Sequence, residues 1–173
     1  MTLSIAVLGS SLSAPDSPDF RQAFALGREI ARRGARVVCG GGSGVMEAVC
    51  RGAAEAGGRT LGVVVGEAAP NAWVKDLLRQ RDLADRLRGL RDESQAAIFL
   101  PRGLGTMLEI AWMAESITKR QVAPRPLVFL GLFWRRTVAL AVSEAVGPGA
   151  GALAESIRFT ETAEEAVAAA YRA

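Results

Sequence analysis

The residues that could do chemistry gather around glycines. Gly103-Leu-Gly105-Thr106 lies between a β-rich run and a helical stretch, and Glu109 follows three residues after Thr106. Gly40-Gly41-Gly42-Ser43-Gly44 stands in the same relation to an earlier run, and Gly9-Ser10-Ser11 follows the first. Glycine lets backbone approach a phosphate closely, and a helix N-terminus offers free N–H groups and the positive end of a dipole. One such loop reads as a turn; three on one sheet edge point to a phosphate or nucleotide pocket. Thr106 and Glu109 would share one side of a first helical turn, where Glu109 could act on a bound substrate. The same Thr-x-x-Glu spacing is also a capping box, with the acid favoured by the helix dipole. The spacing alone leaves both roles open.

The composition narrows the chemistry. The 173 residues include no histidine, which excludes Ser-His-Asp and Cys-His catalysis and every histidine-ligated metal. Cys39 and Cys50 form no CxxC and read as small core residues of a reduced compartment. Acid-base work must come from carboxylates, the single tyrosine, lysine or water. No metal and no cofactor are expected. A dinucleotide fingerprint belongs after the first strand, with an acid ending the second. Here those strands end in Gly9-Ser-Ser and Cys39-Gly-Gly-Gly, and no GxxxxGK[ST] occurs, so NAD-dependent hydride transfer and P-loop ATP hydrolysis drop out.

The formal net charge is +3. Arg79, Arg81, Arg86, Arg88 and Arg91 are interleaved with Asp82, Asp85 and Asp92, which reads as an ion-paired helix face and not as a nucleic-acid patch. Apolar runs such as Leu127 to Trp134 fall far short of the roughly 20 residues of a membrane span. The first residues run into a strand pattern without a charged n-region or cleavage signal. The expected partners are therefore small anionic molecules, with no nucleic acid and no membrane, and the expected location is the cytoplasm.

The elements that must position the loops follow from alternating β-rich and helical runs. Strands are expected at Leu3–Leu8, Ala35–Cys39, Thr60–Val65, Ala96–Leu100, Pro126–Leu130 and Ile157–Phe159. Helices are expected from Ser17-Pro18 to Arg33, over Met46–Ala56, Asp82–Ser94, Thr106–Lys119 and Phe133–Ala145, and after the capping box Thr162-Ala-Glu-Glu165. Residues 73–81 would hold a short helix and a short strand, and residues 147–151 a loop. Apolar strands that do not alternate imply a parallel sheet covered on both faces. The fold class is α/β, a Rossmann-like doubly wound parallel sheet in one domain over residues 1–173. Such sheets bind ligands at the carboxyl ends of their strands.

Pro101-Arg-Gly-Leu-Gly-Thr-Met-Leu-Glu109 resembles the PGGxGTxxE motif of the Lonely Guy (LOG) family, whose members carry the label "possible lysine decarboxylase". Gly40-Gly-Gly-Ser-Gly-Val-Met-Glu47 resembles the family's second glycine motif in its short bacterial branch. Counting fifteen residues back from Pro101 reaches Arg86, the place of the family arginine. Gly9-Ser10-Ser11 matches the first loop, and Pro70-Asn71 resembles a short-branch loop. The resemblance runs from Leu3 to about Leu130.

It implies a Rossmann-like fold, a homodimer or higher homo-oligomer, and cleavage of the N-glycosidic bond of nucleoside 5′-monophosphates, of the AMP or cytokinin ribotide type, to free base and ribose 5-phosphate. By carry-over, Arg86 and Glu109 are the catalytic pair. Gly103, Gly105 and Thr106 would hold the 5′-phosphate, while Gly9, Ser10, Gly41 and Gly42 would line the substrate pocket. A carboxylate can stabilise an oxocarbenium-like state or position water, and an arginine can stabilise charge on a departing base or phosphate. Two departures stand out: Arg102 replaces a motif glycine, and Ala84-Asp85 replaces the usual Met-His before the arginine. Arg102 would either add a phosphate contact or block the backbone approach, and Asp85 could pair with Arg86. Decarboxylation has no support, since Lys75 and Lys119 sit in no pyridoxal phosphate motif.

Two other readings compete with the hydrolase. One is a non-catalytic binding protein for a nucleotide or the molybdenum cofactor, since short-branch relatives resemble carriers of that cofactor. The other is an assembly role with a relict pocket. On the helix after the motif, Ile110, Trp112, Met113 and Ile117 read as sheet packing, or Trp112 and Met113 instead face a partner subunit in the expected homodimer.

Overall fold

The computed structural model describes residues 2–172. Seven strands form one sheet: β1 (Ser4–Leu8), β2 (Arg36–Cys39), β3 (Arg59–Val65), β4 (Asp76–Gln80), β5 (Ala96–Phe99), β6 (Leu127–Leu130) and β7 (Ile157–Thr160). Their order is β4-β3-β2-β1-β5-β6-β7, and every neighbouring pair is parallel. The helices are α1 (Pro18–Arg32), α2 (Val45–Glu55), α3 (Leu83–Asp92), α4 (Leu104–Thr118), α5 (Arg135–Ser143), α6 (Ala150–Ser156) and α7 (Ala163–Ala170). This is the Rossmann-like α/β arrangement expected.

Side chains alternate across the pleat and build two cores. On β1, Ile5 and Val7 pack with α1, α2 and α7, through Leu26, Val49 and Val167 among others. Ala6 and Leu8 face the other way, with Leu90, Ile110, Phe129, Val138 and Leu153 of α3, α4, β6, α5 and α6. On the first side, α1 and α2 cross closely. A Cβ on Gly27 would stand 2.1 Å from the carbonyl oxygen of Val49, and one on Gly52 2.1 Å from that of Phe24. Side chains there would force the two helices apart.

Three elements differ from the sequence reading. Residues 73–81 hold only the strand Asp76–Gln80, paired to β3 through Leu61↔Asp76 to Val65↔Gln80. The glycine-rich stretch after Val146 ends in a short helix, α6. Its start is shaped by the N–H of Gly149, which donates to the carbonyl of Thr118 (3.0 Å). Most consequentially, α4 begins at Leu104, two residues before Thr106.

The strand order reverses between β1 and β5, whose chains leave in opposite directions to cover opposite faces. A crevice opens at the carboxyl end of a sheet at such a switch point. No described helix is long and apolar enough to cross a membrane.

Candidate functional site

The crevice between the ends of β1 and β5 is a cleft of about 300 Å³. Leu8, Gly9, Ser10, Ser11 and Leu12 wall it from the β1 side, and Gly103, Leu104, Gly105 and Thr106 from the β5 side; Met46, Arg86 and Glu109 complete it. Thus Gly9, Ser10, Gly103, Gly105, Thr106, Arg86 and Glu109 come together as the sequence suggested.

The α4 turn explains what the glycines do. Trp134 donates its indole N–H to the carbonyl of Leu100 (2.8 Å) and fixes the chain leaving β5. Gly103 then takes φ +98°, a conformation that disfavours any side chain, and serves as N-cap without a side-chain cap. The first helical bond runs from Met107 N–H to the Gly103 carbonyl (3.1 Å). The N–H groups of Leu104, Gly105 and Thr106 therefore have no acceptor within the helix, and the turn that carries them faces the cleft. Thr106 is the third residue of α4 and Glu109 lies in its second turn, so the capping-box alternative is ruled out.

The other glycine loop ends differently. The first N–H of α2, from Val45, donates to the carbonyl of Ser10 (3.0 Å), and the Ser43 hydroxyl donates to the carbonyl of Ser11 (2.9 Å). The loop thus braces the β1 turn. Gly41 and Gly42 are absent from the walls of the cleft, contrary to the expectation. The side-chain amide of Asn71 donates to both their carbonyls (3.1 and 2.8 Å), and Met46 packs over Gly42 and presents itself to the cleft instead.

At the floor, Arg86 Nη1 lies 3.4 Å from Glu109 Oε1, and Arg86 Nε donates to the carbonyl of Val63 on β3 (3.0 Å). Glu109 is only 7% exposed. Burial penalises its charged form and pushes its pKa up to about 7, although the Arg86 guanidinium pulls the other way. The site therefore holds a carboxyl that titrates near neutrality beside a fixed cation. That is the tuning an acid-base group needs where no histidine exists.

The two departures resolve. Asp85 pairs with Arg81 (2.7 Å) and Arg88, not with Arg86, so Arg86 keeps Glu109 as its carboxylate partner in the cleft. Arg102 adopts φ +69°, and its guanidinium reaches Asp19 at the first turn of α1 (3.0 Å). It is not among the residues that wall the cleft. A left-handed non-glycine residue costs about 1 kcal/mol, and an ion pair this exposed returns less than that. Arg102→Gly is therefore expected to leave ligand affinity within about twofold and to raise stability slightly, read by thermal melts and nucleotide titration; a tenfold loss of affinity would give Arg102 a direct contact with the ligand.

Sequence reasoning missed Leu8, Ser11, Leu12, Met46 and Leu104 as walls of the cleft. Only Ser11 carried a signal, through its place in the first loop. Of the two readings of Met113 the structure selects sheet packing and not the partner contact: it is 3% exposed and lies in the core beneath α3 to α6. Trp112 is half-buried beneath the Arg91 guanidinium, 5.7 Å from its ring.

Among curated proteins none matches this chain in sequence. Solved structures do. The structural-genomics target TM1055 shares 24% identity at TM-score 0.76, over 96% of this chain and 97% of its own. The molybdenum cofactor binding protein of the phototrophic bacterium Rippkaea orientalis shares 22% at TM-score 0.76, over 97% and 94%. The molybdenum cofactor carrier protein of Chlamydomonas reinhardtii shares 25% at TM-score 0.75, over 98% and 96%. The SLOG cluster4 family matches residues 2–123, a span that holds all three glycine loops, Arg86 and Glu109, and the chain belongs to the SLOG cluster4 family.

Proposed function

We propose that the chain hydrolyses the N-glycosidic bond of nucleoside 5′-monophosphates. The observation that carries this reading is one buried carboxyl of near-neutral pKa, paired with one arginine, in a cleft whose other end is the open N-terminus of α4. The 5′-phosphate sits on the N–H groups of Leu104, Gly105 and Thr106, which satisfies donors that lack helical acceptors. The ribose then lies toward Glu109. Ionised Glu109 takes a proton from a water molecule, whose oxygen bonds to C1′ as the bond from C1′ to the base nitrogen breaks. The base leaves with that electron pair and takes up a proton, and the sugar is released as ribose 5-phosphate. Arg86 holds Glu109 in place and stabilises the negative charge of the departing base.

Charge favours a small anion. Among the residues that wall the cleft, Arg86 and Glu109 are the charged side chains, and they offset each other. One phosphate is within the reach of a helix N-terminus; a dinucleotide or polyphosphate would leave charge unpaired. The test is a panel of nucleoside monophosphates incubated with the protein, with free base and ribose 5-phosphate separated by chromatography. Base release supports the reading. Binding without release from any member of the panel contradicts it.

A second reading is favoured by the likeness to the two molybdenum cofactor proteins over nearly the whole chain. A carrier would hold its phosphorylated cargo on the same α4 turn and would bind equally well after Glu109→Gln.

The homodimer expectation is kept with a different surface. Leu104 (83% exposed), Leu108 (42%) and Met107 (38%) put an apolar stripe on the outside of α4, next to the cleft. Light scattering is expected to give twice the chain mass, and Leu108→Glu a monomer; a monomeric parent protein would remove the stripe as an interface.

A further inference from the structure

Gly40 has a backbone that any residue can adopt, unlike Gly41 and Gly44, whose φ values are +74° and +63°. Conformation therefore does not demand glycine there; space does. A Cβ on Gly40 would stand 1.8 Å from Nη2 of Arg86 and 3.0 Å from its Cζ. The first is too close for any nonbonded pair and the second is tight, so the missing side chain is the seat of the guanidinium. On its other edges that guanidinium meets the Val63 carbonyl and Glu109. Met46 Sδ would lie 2.8 Å from the same Cβ, and Met46 is the thioether that faces the cleft.

Resting on the proposed role of Arg86, we infer that Gly40 is a positioning residue: its bare Cα is the socket that holds the Arg86 guanidinium against Glu109. The atoms a methyl group would strike are the far ends of two flexible side chains, not backbone. Ala at this position therefore leaves the fold standing and displaces Arg86. The second glycine motif thus acts at a distance from the phosphate, through the arginine it seats. Gly40, at the end of β2, meets the guanidinium that α3 sends past Val63 of β3 toward the cleft.

The test reads Glu109 directly, without turnover, so that it stands apart from the hydrolase reading. Arg86 holds the Glu109 carboxyl lower than burial alone would. The Cys39 thiol is the other titratable group that interacts with Glu109, and it is common to every variant. Carbon-13 NMR of labelled glutamate in Gly40→Ala is expected to show the Glu109 midpoint moved up by about one pH unit, matching Arg86→Ala. The Gly40→Ala/Arg86→Ala double variant is expected to equal Arg86→Ala alone, because the two changes remove one contact. A Glu109 midpoint unchanged in a folded Gly40→Ala overturns the inference. If Gly40→Ala unfolds, the double variant is expected to refold, since it deletes the Arg86 atoms, the nearest of those struck; failure to refold puts the damaging clash on Met46 or beyond and also overturns it. Loss of base release in Gly40→Ala, to the level of Arg86→Ala, is the matching activity readout. A parent protein that releases no base from any monophosphate removes the hydrolase while leaving the titration result to decide the socket.

Discussion

Glu109→Gln lowers base release from nucleoside monophosphates by about a thousandfold while making the protein more stable at pH 8. The first effect follows from removing the only buried carboxylate in the cleft; general-base contributions run to about 10²–10⁴-fold. The second follows from linkage. The folded pKa of about 7 lies above the value of 4.5 that an unperturbed glutamate has. Below 4.5 the carboxyl is protonated in folded and unfolded chains alike, and burial of Glu109 carries no ionisation penalty. As pH rises toward 7 the unfolded chain ionises first, and folded stability falls by roughly 3 kcal/mol at most, a figure set by the difference between the two pKa values. Glutamine has no charge to bury. Melting temperatures of the two proteins should therefore converge below pH 5 and separate at pH 8, with Glu109→Gln the higher. A variant that loses activity and also melts lower at pH 8 would mean that Glu109 is a structural ion-pair partner of Arg86 and not a carboxyl strained for use.

Arg86→Ala lowers turnover by about a hundredfold and moves the pH profile. In the parent protein, base release should rise through pH about 7 as Glu109 ionises. Without the guanidinium, desolvation is unopposed and the midpoint moves upward, so part of the lost rate returns at high pH. Arg86→Lys keeps a charge but cannot both donate to Val63 and reach Glu109 with a rigid fork, so it recovers only a fraction. A profile of unchanged midpoint in Arg86→Ala would show that the arginine acts on substrate alone. The structural order behind both predictions is simple. β3 and α3 aim Arg86, α4 aims Glu109, and the sheet brings the two side chains together at its switch point.

Much of this arrangement was legible in the residues. Non-alternating strands gave the parallel sheet, and glycines at strand ends gave its working edge, because both follow from local sterics and burial. The fifteen-residue offset from Pro101 found Arg86 among five neighbouring arginines, which composition could not have done. The rest depended on contacts between distant segments. The start of α4 at Leu104 is set by the positive φ of its cap Gly103, and a Thr-x-x-Glu spacing mimics a cap three residues later, at Thr106. The walls that Leu12, Met46 and Leu104 supply carry no periodicity of their own. Met113 looked like interface because aromatic and sulfur residues are common there, yet its place on the helix turns it inward. Gly40 read as one more loop glycine. Its part is visible only once α3 lays Arg86 across it.

The most direct test of the account is AMP incubated with the protein in ¹⁸O-labelled water, with products followed by mass spectrometry. The expected result is adenine and ribose 5-phosphate carrying one labelled oxygen, with about a thousandfold less of both from Glu109→Gln. AMP recovered intact, at protein concentrations where it binds and raises the melting temperature, would contradict hydrolysis and make the cleft a holding site for a phosphorylated ligand.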